Sequence, residues 1–331
     1  MSAPPSLMGK VLAVVQEKGE PKVRFSAVHS SFIFVLLLLR LLPLAWAEPA
    51  EIVIATYNIE NYLGEEAENN PAPRHAKPKG EKEIAAVTRV VKDLNADILG
   101  VCEMGSAEEF AVFKKRLEAE GLGYVDSEYV AGPDPDRHLA LVSRFPIVSR
   151  DSLPDVPFEM NGQPEKVRRG FLDVTIQVNP GYRLRMVGTH LKSKLPIPGG
   201  EALMRRYEAQ LLRKHLERIL GADPQVNLAC YGDFNDTKNE IMFQTITGMR
   251  GSPAYMADLP ACDELGDRWT QYWKAADLYS RIDYIFVSPA LHREVVLGKS
   301  RVYRSEYWNE ASDHRPVMAT IIPVNKPFKV K

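Results

Sequence analysis

The chain predicts an α/β fold in which two packed sheets carry helices on their outer sides. Three observations predict it. Short β-branched and apolar runs recur along the chain, segments of helical spacing interrupt them, and several runs are apolar at every position, as strands covered on both faces are. The length, 331 residues, suits one large unit of this kind, and neither a repeat nor a second composition regime follows Glu48. At 45% hydrophobic and 26% charged residues, a sizeable core is expected.

The elements follow in order. EIVIATYNI (51–59) reads as a strand. Residues 80–95 carry Ile84, Val87, Val90, Val91 and Leu94 at helical spacing. ADILGVCEM (96–104) is a buried strand. A helix follows over 106–121, opened by the capping box Ser106-x-x-Glu109 and closed at Gly121. Strands are expected near 124–131, 138–143, 170–178 and 182–191, then a long amphipathic helix over 201–221. VNLACYGDFN (226–235) is a strand and 239–247 a short helix. The last strands fall near 281–287, 295–304 and 316–323. The Pro-rich stretch 68–80 is a loop near a strand end, where functional groups tend to collect.

Residues 1–47 form a separate region. A basic start at Arg24, the apolar run Phe32–Leu39 and the small-x-small exit Ala45-Trp46-Ala47 have the form of a secretory signal cleaved before Glu48. The run is too short to span a bilayer, and Arg40 ends it, so a retained anchor is disfavoured. Residues 1–23 do not belong to such a signal and read as an over-long start, with initiation near Val23. The expected organisation is an N-terminal extension and signal (1–47), then one catalytic domain (48–331), exported to the periplasm or medium without stable membrane insertion.

The net charge of the whole chain is −1. Removing 1–47 leaves 37 basic against 41 acidic residues, a net charge of −4, so any nucleic-acid binding needs a local basic patch. Three cysteines (Cys102, Cys230, Cys262) with no C-x-x-C spacing exclude a zinc ribbon and a disulfide scaffold.

Chemistry concentrates where apolar strands end in polar side chains. These ends carry Asn58 and Glu60, Glu103, His190 with Lys192, Asp233 with Asn235, Asp283, and Asp313-His314. One charged strand end is an ordinary solvated edge. Six of them converging would repel one another at the lip of a core unless a cation joined them. Oxygen ligands with a carboxamide favour Mg²⁺, Mn²⁺ or Ca²⁺ over zinc. Two histidines add proton transfer near neutral pH. The set suits attack of water on a phosphate ester.

TYNIEN, ADILGVCEM, GTHLKS, YGDFND, SRIDYIFVS and SDHRPV, in this order, resemble the motifs of the endonuclease/exonuclease/phosphatase superfamily, across about residues 51–323. The resemblance implies a four-layer α/β/β/α sandwich of deoxyribonuclease I type. It implies Glu103 as the principal metal ligand with Asn58 beside it, and Asp313 as a further metal-side carboxylate. Asp233 would orient or deprotonate the attacking water, and Asn235 would contact the phosphate. His314, held by Asp283, would contact the phosphate and tune proton transfer, with His190 near the leaving group. Arg169 is a further phosphate contact, and Lys192 joins it in binding substrate. Glu60 departs from the residues other members carry at its place, which puts a second metal contact there in doubt.

The expected activity is therefore a secreted, Mg²⁺-dependent phosphodiesterase, first of all a nuclease. The alternatives are a phosphoesterase acting on a phospholipid head group or on an inositol or sugar phosphate, and a non-catalytic module on the same fold. A nuclease should show a basic groove, for which Lys166, Arg168, Arg169, Lys192 and Lys194 are candidates. A lipid-active form should show an exposed apolar hairpin, and none stands out in the sequence. Asp236 is expected to cap a turn, Arg205 and Arg206 to face solvent, and His75 and His138 to be incidental. Trp269, Tyr272 and Trp273 either stack on a base or pack in the core.

Overall fold

Strand pairing divides the chain into two six-stranded sheets. The computed structural model describes residues 50–63 and 77–326. The expected signal, His75 and most of the Pro-rich loop lie outside the described residues. Sheet one contains, in spatial order, β15 (Arg301–Val302), β16 (Val317–Ile321), β1 (Ile52–Tyr62), β2 (Ile98–Met104), β4 (His138–Ser143) and β3 (Asp126–Val130). Sheet two contains β11 (Ala257–Asp258), β14 (Asp283–Val287), β10 (Leu228–Asp233), β9 (Tyr182–His190), β8 (Leu172–Asn179) and β5 (Ile147–Arg150). Two hairpins stand apart, β6 (Pro157–Met160) with β7 (Gln163–Lys166), and β12 (Gln271–Trp273) with β13 (Leu278–Ser280).

The alternation of side chains along each strand sorts the apolar residues into three layers. Ile54, Ile98 and Leu141 from sheet one meet Val174, Leu184, Tyr231 and Ile285 from sheet two in the central core. The opposite face of sheet one, with Tyr57, Leu99, Val101 and Val142, packs on α1 (Glu81–Leu94) and α2 (Ala107–Ala119). The opposite face of sheet two, with Val187, Cys230 and Phe286, packs on α3 (Glu201–Ala222) and α4 (Ile241–Thr247). Helix, sheet, sheet, helix is the four-layer order expected from the sequence. Two short helices, α5 (Pro289–His292) and α6 (Trp308–Ala311), punctuate the C-terminal third. Among the described residues no helix is long and apolar enough to cross a membrane.

The capping box forms as expected: the Ser106 hydroxyl accepts the Glu109 N–H at 3.2 Å, and the Glu109 carboxylate accepts the Ser106 N–H at 2.6 Å. The strand expected over 295–304 shrinks to Arg301–Val302, because Leu297–Lys299 coil into a 3-10 turn. All three cysteines are free; Cys102 and Cys230 are buried and Cys262 is exposed.

Gly100 sets how closely the sheets approach. A Cβ there would lie 1.8 Å from Cε2 of Tyr231, whose ring reaches across from β10. Replacing Gly100 with Ala should therefore destabilise the fold by about 1–3 kcal/mol, the usual range for overpacking a close core. In a thermal-denaturation cycle, Tyr231→Leu should relieve part of that loss, so the double variant loses less than the two singles together. Strict additivity would contradict the contact.

Candidate active site

The pairing registers bring the polar strand ends together. Strands β1 and β2 run parallel with Asn58 opposite Cys102, so Asn58 and Glu103 leave their strands side by side. In sheet two, β9 and β10 run parallel with His190 opposite Asp233, and antiparallel β14 places Asp283 on the other side of Asp233. Because β16 is antiparallel to β1, the residues entering it, Asp313 and His314, arrive at this same end.

The Asn58 carboxamide joins the two sheets. Its Nδ2 donates to Oδ2 of Asp233 at 3.0 Å and lies 3.3 Å from Oε1 of Glu103. Its oxygen accepts the Glu60 N–H at 3.0 Å. Glu103 also accepts the Asn61 N–H at 2.9 Å, with Nε of Arg137 at 3.5 Å. Glu103 has φ +63° at a register shift between β2 and β4, and this bulge turns its carboxylate toward the site. Glu60, Asn61 and Asn235 are left-handed as well, so four of the eight such non-glycine residues described lie here. Gly232 has φ +138°, and a Cβ on it would meet the Thr189 carbonyl oxygen at 1.9 Å; the glycine lets β10 deliver Asp233 beside β9.

Asp233 is buried between the histidines. Nε2 of His190 and Nε2 of His314 lie 3.6 and 3.8 Å from its Oδ2, and its Oδ1 accepts the Asn235 N–H at 2.8 Å. Burial and the Asp283 charge push its pKa up to about 7, against the pull of His314 and of the hydrogen bonds from Asn235 and Asn58. Burial would lower the pKa of His314, but Asp283, 2.8 Å from its Nδ1, together with Asp313 and Asp233 holds it well above the ordinary histidine value. Burial, then the charges of Arg169, His314, Arg137 and Lys192, holds His190 well below that value. The two histidines are thus biased toward opposite charge states on either side of one carboxylate. Side chains absent from the sequence reading complete the frame. The Thr270 hydroxyl accepts the N–H groups of Ile282 and Asp283 at 3.0 and 3.1 Å, and the Ser312 hydroxyl donates to the Asn58 carbonyl at 2.8 Å. Ser312 lies inside the SDHRPV motif; Thr270 carries no sequence signal.

The donor set fits a hard divalent cation. Glu103, Glu60 and Asp313 offer carboxylate oxygen, the Asn58 oxygen accepts the Glu60 N–H, and Oδ1 of Asp283 is buried with no hydrogen-bond partner. Among the described residues, ligand atoms of Asp233, Asp283 and His314 lie within 4.8 Å of one another. Nδ1 of His314 is engaged by Asp283 at 2.8 Å and its pKa is held up by the surrounding carboxylates, an arrangement that suits this trio to moving a proton. Glu103 is the better holder, and Asn58, which turns Nδ2 toward it, would give oxygen to an ion there only with its carboxamide reversed. Asp313 sits toward His314, 3.8 Å from its Nε2, and its N–H donates to Glu60 at 3.1 Å.

Several expectations are corrected. Arg169 is buried and paired with Asp134 through Nη2 at 3.0 Å, while its Nε and Nη1 are buried without a hydrogen-bond partner, so it is no open surface cation. Lys192 is turned onto its own chain: its ammonium donates to the carbonyls of Ser193 and Leu195 and to the Ser193 hydroxyl, at 2.8–3.0 Å. The expected basic groove is neutralised, since Lys166 pairs with Asp155, Arg168 with Glu165 and Lys194 with Glu240. Arg205 does not face solvent but is buried against Asp236 at 2.9 Å, which makes Asp236 an ion-pair partner and not a turn cap. Finally, β12–β13 is an exposed apolar hairpin, with Trp273, Leu278 and Tyr279 each about half exposed (50, 49 and 50%). It is tied to the site by the Tyr272 N–H, which donates to the Asp313 carbonyl at 2.9 Å. Trp269 instead packs inward, with the Arg315 guanidinium 3.4 Å from its ring centroid.

The fold and site define a two-sheet α/β protein with the acid, histidine and carboxamide groups of a phosphoester hydrolase. The chain belongs to the Endonuclease/Exonuclease/phosphatase family, whose sequence model matches residues 55–314. Members of this family are in general metal-dependent hydrolases of phosphoester bonds. The fold is similar to that of an endonuclease/exonuclease/phosphatase from Beutenbergia cavernae (TM-score 0.59, 20% identity, covering 82% of this chain and 72% of that one). It is similar also to the human Nocturnin catalytic domain (0.58, 18%, 82% and 93%) and to sphingomyelinase C from Streptomyces griseocarneus (0.56, 15%, 82% and 99%). No curated protein matches the sequence.

The pKa of Asp233 has a consequence for stability. A folded pKa of about 7 lies above that of an unfolded aspartate, so the folded chain binds the extra proton and loses stability as pH rises toward 7. In EDTA, Asp233→Asn should therefore melt above the wild type, by a margin that widens from pH 5 to pH 8. A margin that narrows over that range would contradict the burial argument.

Proposed function

We propose that this chain is a divalent-metal-dependent phosphodiesterase that hydrolyses its substrate by in-line attack of water. The observation that carries the reading is the placement of Asp233, fixed by Asn58 and the Asn235 N–H and flanked by both histidines. Poised near 7, Asp233 is matched to take a proton from water at neutral pH. His314, kept charged by Asp283, presents Nε2 to a phosphate oxygen. Asn235 uses one amide hydrogen on the Leu191 carbonyl at 2.9 Å, which fixes the direction of the other. His190, kept neutral, lies on the Glu103 side, with Nε2 3.8 Å from Oε1 of that residue, where it can hydrogen-bond the departing oxygen. A cation held by Glu103, with Asn58 beside it, would neutralise charge on the phosphate and leaving oxygens. The water oxygen bonds to phosphorus, the ester P–O bond breaks, Asp233 takes the proton of the attacking water, and the leaving oxygen departs as an anion that takes its proton from solvent. A non-catalytic role ranks last, because every group this chemistry needs is present.

Nucleic acid is the first substrate class. With the rim cations paired, binding would rest less on phosphate neutralisation than on bases stacking against Trp273 and Tyr279, which favours single strands and a shallow salt dependence. The same half-exposed hairpin favours a second reading, a phospholipid head group approached with β12–β13 at the lipid surface. Export, with the mature chain starting at Glu48, belongs to either reading.

One assay panel at neutral pH tests both. Bis-p-nitrophenyl phosphate should be hydrolysed with Mg²⁺ or Mn²⁺ and not with EDTA. Asp233→Ala and His314→Ala should each lose at least about 10²-fold in rate with unchanged circular dichroism; full activity in both would refute the assignment. Set against plasmid DNA, single-stranded DNA, RNA, sphingomyelin vesicles and p-nitrophenyl phosphate, Trp273→Ala should slow turnover of the true macromolecular class several-fold while sparing the small diester. Equal rates on every macromolecular substrate would remove the hairpin from the account.

A further inference from the structure

On α3, Arg205 and Glu208 stand one turn apart on the same face, both buried, Glu208 completely. Both reach the same residue. Oε2 of Glu208 accepts the Lys192 N–H at 2.6 Å, and Nη1 of Arg205 donates to the Lys192 carbonyl at 3.0 Å. Lys192 is the second residue after His190. The other oxygen of Glu208 accepts the Arg168 N–H at 2.9 Å, and the Arg205 guanidinium also pairs with Asp236, the residue after Asn235, at 2.9 Å. Between these anchors, the Leu191 N–H donates to the Asp233 carbonyl at 3.0 Å and the Leu191 carbonyl accepts the Asn235 amide at 2.9 Å. The polypeptide leaving β9 and the polypeptide leaving β10 are thus both held from one helix face.

We propose that Arg205 and Glu208 are positioning residues, a clamp that fixes the exits of β9 and β10 and thereby sets His190 and Asn235 for the reaction. The proposal rests on the phosphodiesterase reading above. Burying a carboxylate and a guanidinium against backbone groups is costly, and apolar residues would close α3 on sheet two at less cost. What the charges add is direction: each charged side chain hydrogen-bonds backbone groups, and such charge-assisted bonds are short and orienting. A helix is also a more rigid mount than the loop over 193–200. A clamp of this kind acts only through the groups it aims, and this separates it from a general contribution to stability.

The test is a double-variant cycle on bis-p-nitrophenyl phosphate with Mg²⁺, reading kcat, KM and melting temperature. Glu208→Gln keeps the shape and one acceptor but places an NH₂ against an N–H. It should lower kcat about tenfold, as small misplacements do, with KM changed less than about twofold. Arg205→Lys should act in the same direction and carries the comparison if Glu208→Gln does not fold. In a background carrying both His190→Ala and Asn235→Ala the same substitution should cost less than about twofold, because the groups it aims are gone. An equal loss in both backgrounds, or no loss in the wild-type background, overturns the clamp. If His190→Ala itself keeps full activity, the role given to His190 fails, and the cycle against Asn235→Ala then decides the clamp alone. If the wild type does not hydrolyse the diester at all, it is the phosphodiesterase reading that fails, and the clamp as a catalytic device falls with it.

Discussion

The site depends on one carboxamide between two carboxylates. Asn58 leaves sheet one and hydrogen-bonds Asp233 at the end of sheet two while also facing Glu103. Without that N–H donor, two acids from different sheets would face each other at the lip of a core, with like charges and little water. With it, in the proposed reaction, one strand end would carry the cation side and the other the water side, at a separation set by the packing of the sheets. The central core therefore sets the catalytic distances: Tyr231, under Gly100, determines how closely β2 and β10 approach, and these are the strands that deliver Glu103 and Asp233.

The arrangement is held under strain. Glu60, Asn61, Glu103 and Asn235 all occupy the left-handed region, where a side chain is disfavoured. Asp233 is ionised only against burial and a neighbouring charge. Such features cost stability, and the surroundings offset them: the Ser312 hydroxyl on the Asn58 carbonyl, Thr270 under Asp283, and the Arg205–Glu208 pair under His190. The result is a site rigid before substrate arrives, as electrostatic catalysis requires.

Much of this was legible in the sequence, for a physical reason. A buried strand that ends in a carboxylate or carboxamide breaks its own pattern, and Asn58, Glu103, His190, Asp233 and Asp283 each break it where a strand stops. The structure brings all of them to one end. Less legible was which cations are free. Arg169, Lys192 and Arg205 each looked like contacts or solvated charges, yet each is engaged within the protein: Arg169 by Asp134, Lys192 by the Ser193 and Leu195 carbonyls, and Arg205 by Asp236. The Arg169 and Arg205 pairings cross 35 and 31 residues and leave no local period to read, and the Lys192 contacts depend on how the loop after β9 folds back. The hairpin β12–β13 was missed because its strands are three residues each, too short to show alternation, and its apolar side chains are exposed, not buried.

The central claim is the division of labour across Asn58, with the cation at Glu103 and the proton chemistry at Asp233 and His314. Its most direct measurement is a crystal structure with Mn²⁺ and a phosphate or non-hydrolysable diester, the ion located by anomalous scattering. The account predicts one ion bonded to Glu103, with Asn58 beside it, and Asp233 and His314 free of metal on the far side of the phosphorus. An ion seated instead among Asp233, Asp283 and His314 would contradict it.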